Sequence, residues 1–345
     1  MGKKHLDYLF YDPKWEPPEV IYGEDLLQEF TKDIENYAVS TMQIPWNIVK
    51  GKISNLPQKV IFVESMELPV IEKLEKKVPP VQLVMGIGGG SAHDFAKYIA
   101  LKKQCRIYQV PTIIGGDASV TNAIGIRDGG KVKYIAHVFI DKVLIDYKLL
   151  SQAPQKLITC GAADILSSHT ALYDWKIASD RGKEKFNEKI YMQAREEFLS
   201  ELKDNKIEIK KATKKGIKTI IELYLKYAKI ANLIGTDRAQ EGSEHFFAYN
   251  AEYVTKKHFI HGEILTIGIL VSSYLQNNNF EEIFKLINDM GMQYQISSVG
   301  LNEEEFTEIM KTMNKFVIEG GYYYSIFNEV RIKPSHIREL LKLLM

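Results

Sequence analysis

Met85-Gly86-Ile87-Gly88-Gly89-Gly90-Ser91 follows a short apolar run, residues 82–85, and opens a stretch of helical spacing, residues 91–101. A strand that ends in glycines and passes directly into a helix is the joint of a βα unit. Glycine there lets the chain turn sharply and brings backbone N–H groups within reach of a ligand that a Cβ would hold off. The helix beginning near Ser91 adds the positive end of its dipole, and together these features suit a pyrophosphate. The spacing is not the G-x-G-x-x-G of the dinucleotide fingerprint, so that pattern carries no weight here. A tight turn with no ligand is the plainer account. Four glycines in the five positions 86–90 are more than a turn requires, which favours phosphate binding.

The same alternation extends outward from this joint. Residues 19–22, 37–41, 59–64, 82–85, 106–110 and 142–146 read as strands, and residues 25–36, 46–50, 69–77 and 91–101 as helical. That pattern predicts a parallel sheet with helices on both faces. Residues 122–127 and 131–136 flank Asp128-Gly129-Gly130 and read as a hairpin. From Pro154 the texture changes. Gly and Pro thin out, and helical periodicity runs through residues 163–178, 188–203, 213–233, 242–255, 262–275, 280–290, 303–318 and 335–344. The expectation is an α/β domain over residues 1–152, followed by an all-helical domain over residues 153–345. Nine Lys, Asp or Glu residues between 201 and 215 read as a solvated helix face and connector.

Composition narrows the class. A chain of 345 residues suggests about two domains at ~100–200 residues each. Lys+Arg is 45 and Asp+Glu is 44, a balance that argues against nucleic-acid binding through bulk positive charge. Two cysteines, Cys105 and Cys160, make no disulfide framework and fit a reducing compartment. The start, MGKKHLDYLFYDP, has no apolar run behind its lysines and does not read as a secretory signal. The most apolar stretch, around residues 264–271, is far short of the ~20 residues that cross a bilayer. A cytoplasmic protein without membrane insertion is expected.

Asp94 and Lys97 stand one helical turn apart after the glycines and are candidates for cofactor contact; a first-turn acid and a surface lysine are the plain alternative. Pro111-Thr112 ends a strand and opens the loop Gly115-Gly116-Asp117-Ala118-Ser119. Ligands of open parallel sheets bind beyond the carboxyl ends of the strands, so Asp117 is a candidate for a small polar substrate, or else a turn-former. In the helical half, Asp164, His245 and His261 stand out at the heads of three helical stretches. The 16-residue gap between the histidines allows a helix, a reversal and a second helix, so both imidazoles could meet. One carboxylate and two imidazoles suit Zn²⁺ with a fourth position open, and Fe²⁺ accepts the same donors, as does Ni²⁺. Taken alone, each histidine reads as a hydrogen-bonded helix residue.

Six segments then occur in one order. They are Gly86-Ile-Gly-Gly-Gly-Ser-Ala-His-Asp94-Phe-Ala-Lys97, Pro111-Thr112, Asp117, Gly161-Ala-Ala-Asp164, Ser243-Glu-His245 and His261-Gly-Glu263. Together they resemble the dehydroquinate synthase-like and iron-containing alcohol dehydrogenase superfamily. GAADILSSHTALYDW (161–175) and GSEHFFAYNAE…HGE (242–263) look most like its sn-glycerol-1-phosphate dehydrogenase branch. The resemblance implies a Rossmann-like N-terminal domain for NAD or NADP, a helical C-terminal domain, a cleft between them, and a homo-oligomer. It implies that Asp164, His245 and His261 hold the metal and that Gly88, Gly89 and Gly90 hold the pyrophosphate. It also implies that Asp94 meets the nicotinamide amide, Thr112 lines the cofactor site and Asp117 contacts substrate.

Four positions depart from family patterns. Ser168 stands where iron-containing alcohol dehydrogenases carry a fourth ligand, which favours zinc over iron. Asp164 stands where dehydroquinate synthases use Glu, which lowers the cyclase reading. Tyr249 replaces the second histidine usual in glycerol-1-phosphate dehydrogenases. Met42 stands where glycerol dehydrogenases place a ribose-binding Asp; without an acid NADP is not repelled, and Glu64 on a later strand is a weak substitute. The expected reaction is reversible hydride transfer between NAD(P)H and a small ketone, with dihydroxyacetone phosphate as the leading substrate. The alternatives are a glycerol or other polyol dehydrogenase, a sugar-phosphate cyclase of the same fold, and a non-catalytic nucleotide-binding module.

Gly89→Val is predicted to raise the KM for the nicotinamide cofactor, because the added side chain blocks backbone approach. An unchanged KM in steady-state assays removes the turn from the cofactor site.

Overall fold

The computed structural model describes Tyr11, residues 15–129 and residues 131–345; the reading of the N-terminal MGKKHLDYLFYDP falls almost wholly, and Gly130 of the hairpin turn falls, outside the described residues. The first part of the chain alternates as β1 (Glu19–Gly23), α1 (Leu26–Phe30), β2 (Tyr37–Thr41), α2 (Gln43–Val49), β3 (Lys59–Phe62), α3 (Leu68–Glu75), β4 (Leu83–Gly88), α4 (Gly90–Lys103) and β5 (Arg106–Pro111). The antiparallel hairpin β6 (Ala123–Asp128) and β7 (Lys131–His137) follows, and β8 (Lys142–Asp146) with α5 (Tyr147–Leu150) completes this part. Helices then run as α6 (Gln155–Leu166), α7 (Ser168–Asp180), α8 (Glu188–Lys210), α9 (Lys214–Ile234) and α10 (Ser243–Thr255). They continue as α11 (His261–Gln276), α12 (Phe280–Met290), α13 (Glu303–Gly320), α14 (Ile326–Glu329) and α15 (Pro334–Leu344).

Six strands form one sheet in the order β1-β8-β5-β4-β2-β3, with every neighbouring pair parallel. Parallel pairing follows from crossover helices, and it buries both faces. On one face Leu83, Met85 and Ile87 of β4 join Tyr37, Val39, Tyr108, Val110 and Leu144 with Leu26 and Leu27 of α1 in a buried cluster. The period of two sends Val84, Gly86 and Gly88 to the other face, where α4 lies. A Cβ on Gly86 would stand 2.1 Å from Gln109 Oε1 and 3.0 Å from Ala96 Cβ. This glycine is therefore a packing residue that admits the Gln109 side chain and lets α4 approach.

The chain divides into two compact units. The first ends at Ile158 and also takes in Tyr224–Gly235; the second comprises Thr159–Leu223 and Thr236–Met345. In the second unit α11 is buried nearly all round, from Gly262 through Ser273. A helix that is apolar on every side belongs in the middle of a helical layer. Among the described residues, no helix is long and apolar enough to cross a membrane.

Three readings change in detail. The helix expected over residues 25–36 is only the short α1, Leu26–Phe30. The helix expected over residues 163–178 is two helices, α6 and α7, broken at Ser167. The Ser167 hydroxyl donates to Asp164 O at 2.6 Å and the Ser168 hydroxyl to Ile165 O at 2.9 Å. These side chains compete with the backbone for carbonyls at the end of α6, which favours a break. Lys97, whose plain alternative was a surface residue, is fully buried. Its ammonium donates to Asp94 Oδ1 at 2.7 Å, to Thr121 O at 3.2 Å and to Ala123 O. All three donors are taken by protein oxygens, so Lys97 pins the start of β6 against α4.

Lys97→Met is predicted to cost about 3–5 kcal/mol, since it strands a largely buried carboxylate and two carbonyls. A thermal melt within a degree or two of the parent protein would show that this ion pair does not hold the hairpin.

Candidate functional site

The glycine turn is built from the ends of three strands. Thr41 at the end of β2 donates its hydroxyl to Ile87 O at 2.7 Å, and Ser40 donates to Ala92 O at 2.8 Å. Thr112 N, just past β5, donates to Gly88 O at 2.9 Å. Gly88 has a φ of +150°, a conformation that side chains resist, and a Cβ there would meet Ala92 Cβ at 3.0 Å. Gly89 is the N-cap of α4 and no side chain caps the helix. Gly90 is exposed at the first turn. An uncapped 14-residue helix whose start is bare of side chains fits a phosphate group of a dinucleotide.

Asp94 lies one turn further along α4. Burial pushes its carboxyl up, against the opposing pull of Lys97. A Cβ on Gly125 of β6 would stand 3.0 Å from Asp94 Oδ2, so the hairpin closes on this acid through a glycine. Thr112 is buried beside the turn. Asp117 opens a 3-10 turn, Asp117–Ser119, and is half-buried. Met42 is the N-cap of α2, 39% exposed, and Glu64 is exposed. No acid therefore follows β2 where one would bind ribose hydroxyls.

In the second unit the structure brings Asp164, His245 and His261 together. Asp164 sits near the end of α6, His245 on the first turn of α10, and His261 at the first position of α11. Ten residues of α10 beyond His245 rise roughly 15 Å at ~1.5 Å each. Residues 256–260 are non-helical and reach about 17 Å at ~3.3–3.6 Å per residue. The chain can thus return to its starting level, and the ring centroids of the two histidines lie 5.3 Å apart.

The distances discriminate between a hydrogen-bonded cluster and a cation site. Asp164 Oδ1 is 3.6 Å from His245 Nε2 and 3.4 Å from His261 Nε2. Good hydrogen bonds of this type are about 2.7–3.0 Å. Two ligands held ~2.0–2.2 Å from one tetrahedral ion lie roughly 3.3–3.6 Å apart. The one ligand atom each residue offers lies within 4.8 Å of the other two. The donor set and its spacing fit a divalent cation.

Close helix approach makes this meeting possible. A Cβ on Gly262, next to His261, would stand 2.3 Å from Cys160 O of α6. One on Gly268 would stand 2.4 Å from Glu244 O of α10, and one on Gly242 would stand 2.7 Å from Ala171 Cα of α7. Only glycine lets these backbones come so near.

Electrostatics point the same way. Burial works to raise the Asp164 carboxyl, but His245 and His261 hold it well below the usual carboxylate range. Burial works to lower the His245 imidazole, but the Asp164 and Glu244 carboxylates hold it well above its ordinary value. The Asp164 carboxylate therefore keeps its negative charge despite burial, which suits it to a neighbouring cation. Ser168, in the position of a possible fourth ligand, donates its hydroxyl to Ile165 O at the end of α6. Tyr249 packs 6.0 Å from the His245 ring and donates its hydroxyl to Glu241 Oε1 at 3.1 Å.

Sequence reasoning did not single out Glu244, which is fully buried and accepts from His245 Nδ1 at 2.9 Å. A carboxylate adjacent to a candidate ligand was the available signal. It also passed over Ser40 and Thr41, whose hydroxyls shore up the glycine turn and which carry no motif.

Residues 34–154 match the family model for iron-containing alcohol dehydrogenase. A curated relative named glycerol-1-phosphate dehydrogenase (NAD(P)+), from Saccharolobus islandicus, is 26% identical over 306 residues, 84% of this chain and 86% of its own. One of the same name from Thermoplasma acidophilum is 23% identical over 313 residues, covering 86% and 88%. Among solved structures, glycerol dehydrogenase from Schizosaccharomyces pombe superposes with a TM-score of 0.70 at 18% identity, covering 97% of this chain and 90% of that one. A probable glycerol dehydrogenase from Sinorhizobium meliloti gives 0.71 at 18%, covering 96% and 97%. The likeness to the iron-containing alcohol dehydrogenase family model thus runs over residues 34–154, and the fold of the chain is the fold of these structures.

His261 has a side chain 42% exposed, whereas His245 is 7% exposed. His261→Ala is therefore predicted to abolish zinc uptake while leaving the fold intact, at a cost of about 1–3 kcal/mol, because His245 still faces the buried Asp164 carboxylate. A zinc titration that matches the parent protein's would remove His261 from the site.

Proposed function

We propose that the protein is a metal-dependent, NAD(P)-linked oxidoreductase that interconverts dihydroxyacetone phosphate and sn-glycerol-1-phosphate. The observation that carries the redox reading is the meeting of Asp164, His245 and His261 at distances a tetrahedral cation spans. The family domain supports an alcohol dehydrogenase, and the curated relatives' name supports the phosphorylated substrate. Zinc is the proposed ion, because three protein ligands leave one position open for a substrate oxygen. Fe²⁺ and Ni²⁺ are its alternatives.

A cation at this site supplies Lewis acidity at a carbonyl oxygen, worth several kcal/mol where negative charge develops. The nicotinamide supplies the hydride. The chain itself contributes position and charge. Gly88, Gly89 and Gly90 bring backbone N–H groups to the pyrophosphate, and the start of α4 adds its dipole. Asp94 meets the nicotinamide amide, kept in place by the buried Lys97. Thr112, tied to Gly88, lines the cofactor site. Asp117 holds a substrate hydroxyl. Because Met42 presents no carboxylate to a ribose phosphate, both NADH and NADPH serve.

Turnover of zinc-loaded protein with phosphorylated and free dihydroxyacetone, using each cofactor in turn, tests the assignment. The phosphorylated ketone is predicted to lead by about 100-fold or more in kcat/KM, roughly 2.7 kcal/mol. Equal turnover moves the assignment to a polyol dehydrogenase. Product formed without net NADH oxidation moves it to a cyclase. No turnover with any small ketone leaves a nucleotide-binding module.

A further inference from the structure

The geometry points to Glu244 as the positioning residue that aims His245 at the cation, through a chain of hydrogen bonds running from Thr170 on α7 to the imidazole. The inference rests on the metal reading above and adds the device that makes one histidine a stiff ligand. Glu244 is completely buried, a costly place for a carboxylate unless its oxygens are satisfied. Its oxygens accept from three sides. Oε1 takes the Gly242 N–H at 2.7 Å and His245 Nδ1 at 2.9 Å, and Oε2 takes the Thr170 hydroxyl at 2.6 Å. Gly242 N–H can only donate, and the Thr170 hydroxyl donates to Oε2 while its own oxygen lies 3.0 Å from Ser167 O. A carboxylate, which only accepts, is the group these partners select.

The consequence falls on the imidazole. With Nδ1–H committed to Glu244, Nε2 is the nitrogen left to offer a lone pair to a cation, and Nε2 is the atom that faces Asp164. An acceptor on the far nitrogen fixes both ring tilt and tautomer, and raises the basicity of the ligating nitrogen. The packing leaves Glu244 little freedom. Gly268 of α11 lies against its backbone, and the neighbouring Ser243 N–H donates to the buried Asp174 at 2.7 Å. His261 stands in contrast: its side chain is 42% exposed, and it heads its helix. The site thus has one ligand braced from behind and one that faces solvent.

Three variants test this: Glu244→Ala, Glu244→Gln and Thr170→Val. Zinc affinity is read by competition with a chelator, and the His245 Nδ1 proton by ¹H–¹⁵N correlation in zinc-loaded protein. Glu244→Ala is expected to weaken zinc about 100-fold and to expose the Nδ1 proton to rapid exchange; Glu244→Gln, which keeps shape and one acceptor, about tenfold. Thr170→Val, which touches no ligand, is expected to weaken zinc several-fold. If Glu244→Ala does not fold, Glu244→Gln decides by the same two readouts. A folded Glu244 variant that binds zinc like the parent, with the Nδ1 proton unchanged, overturns the inference and leaves the metal reading standing. A parent protein that takes up no zinc overturns both.

Discussion

A carboxylate buried among helices has to find positive charge, and the helical unit is arranged around that requirement. Asp164 is 3% exposed. Left alone, such a group would neutralise or destabilise the fold. Two imidazoles answer it from the heads of α10 and α11, and their spacing leaves room for an ion between them. The arrangement holds because glycines at 242, 262 and 268 let α6, α7, α10 and α11 pack backbone against backbone.

The α/β unit solves a different problem with related means. Its candidate cofactor-binding feature is backbone, so the work lies in holding backbone still. β4 ends in a glycine whose φ is +150°, and hydroxyls from Ser40 and Thr41 fasten the neighbouring carbonyls. Behind the turn, Gln109 Oε1 accepts from the buried His93 Nδ1 at 2.6 Å and fills the space that Gly86 leaves. Desolvation, opposed by that Gln109 bond, pushes the His93 imidazole down to about 4, so this prop is neutral in ordinary conditions.

Much of this was legible in the sequence, and the reasons are physical. Parallel strands buried on both faces must be continuous apolar runs, so β2, β5 and β8 declared themselves within a residue, while β4, read over residues 82–85, runs on through the glycines to Gly88. Periodicity located α10 through α13 for the same reason. It failed between α6 and α7, where two serine hydroxyls, rather than any loss of apolar spacing, stop the helix. The three donors of the candidate metal site were visible as residue types. Their convergence was not, since it depends on glycine contacts between helices far apart in the chain. Glu244 and Lys97 were misjudged or passed over because charged residues ordinarily face water, and burial of a charge is decided by partners that only folding supplies.

The α/β unit is not one continuous stretch. It includes Tyr224–Gly235, and the Tyr224 hydroxyl donates at 3.2 Å to Ile114 O, on the loop that leads to Asp117. Shortening the gene to its first 158 codons would amputate this tether along with the rest of the Tyr224–Gly235 strip. A fragment meant to reproduce the α/β unit would have to carry that strip as well.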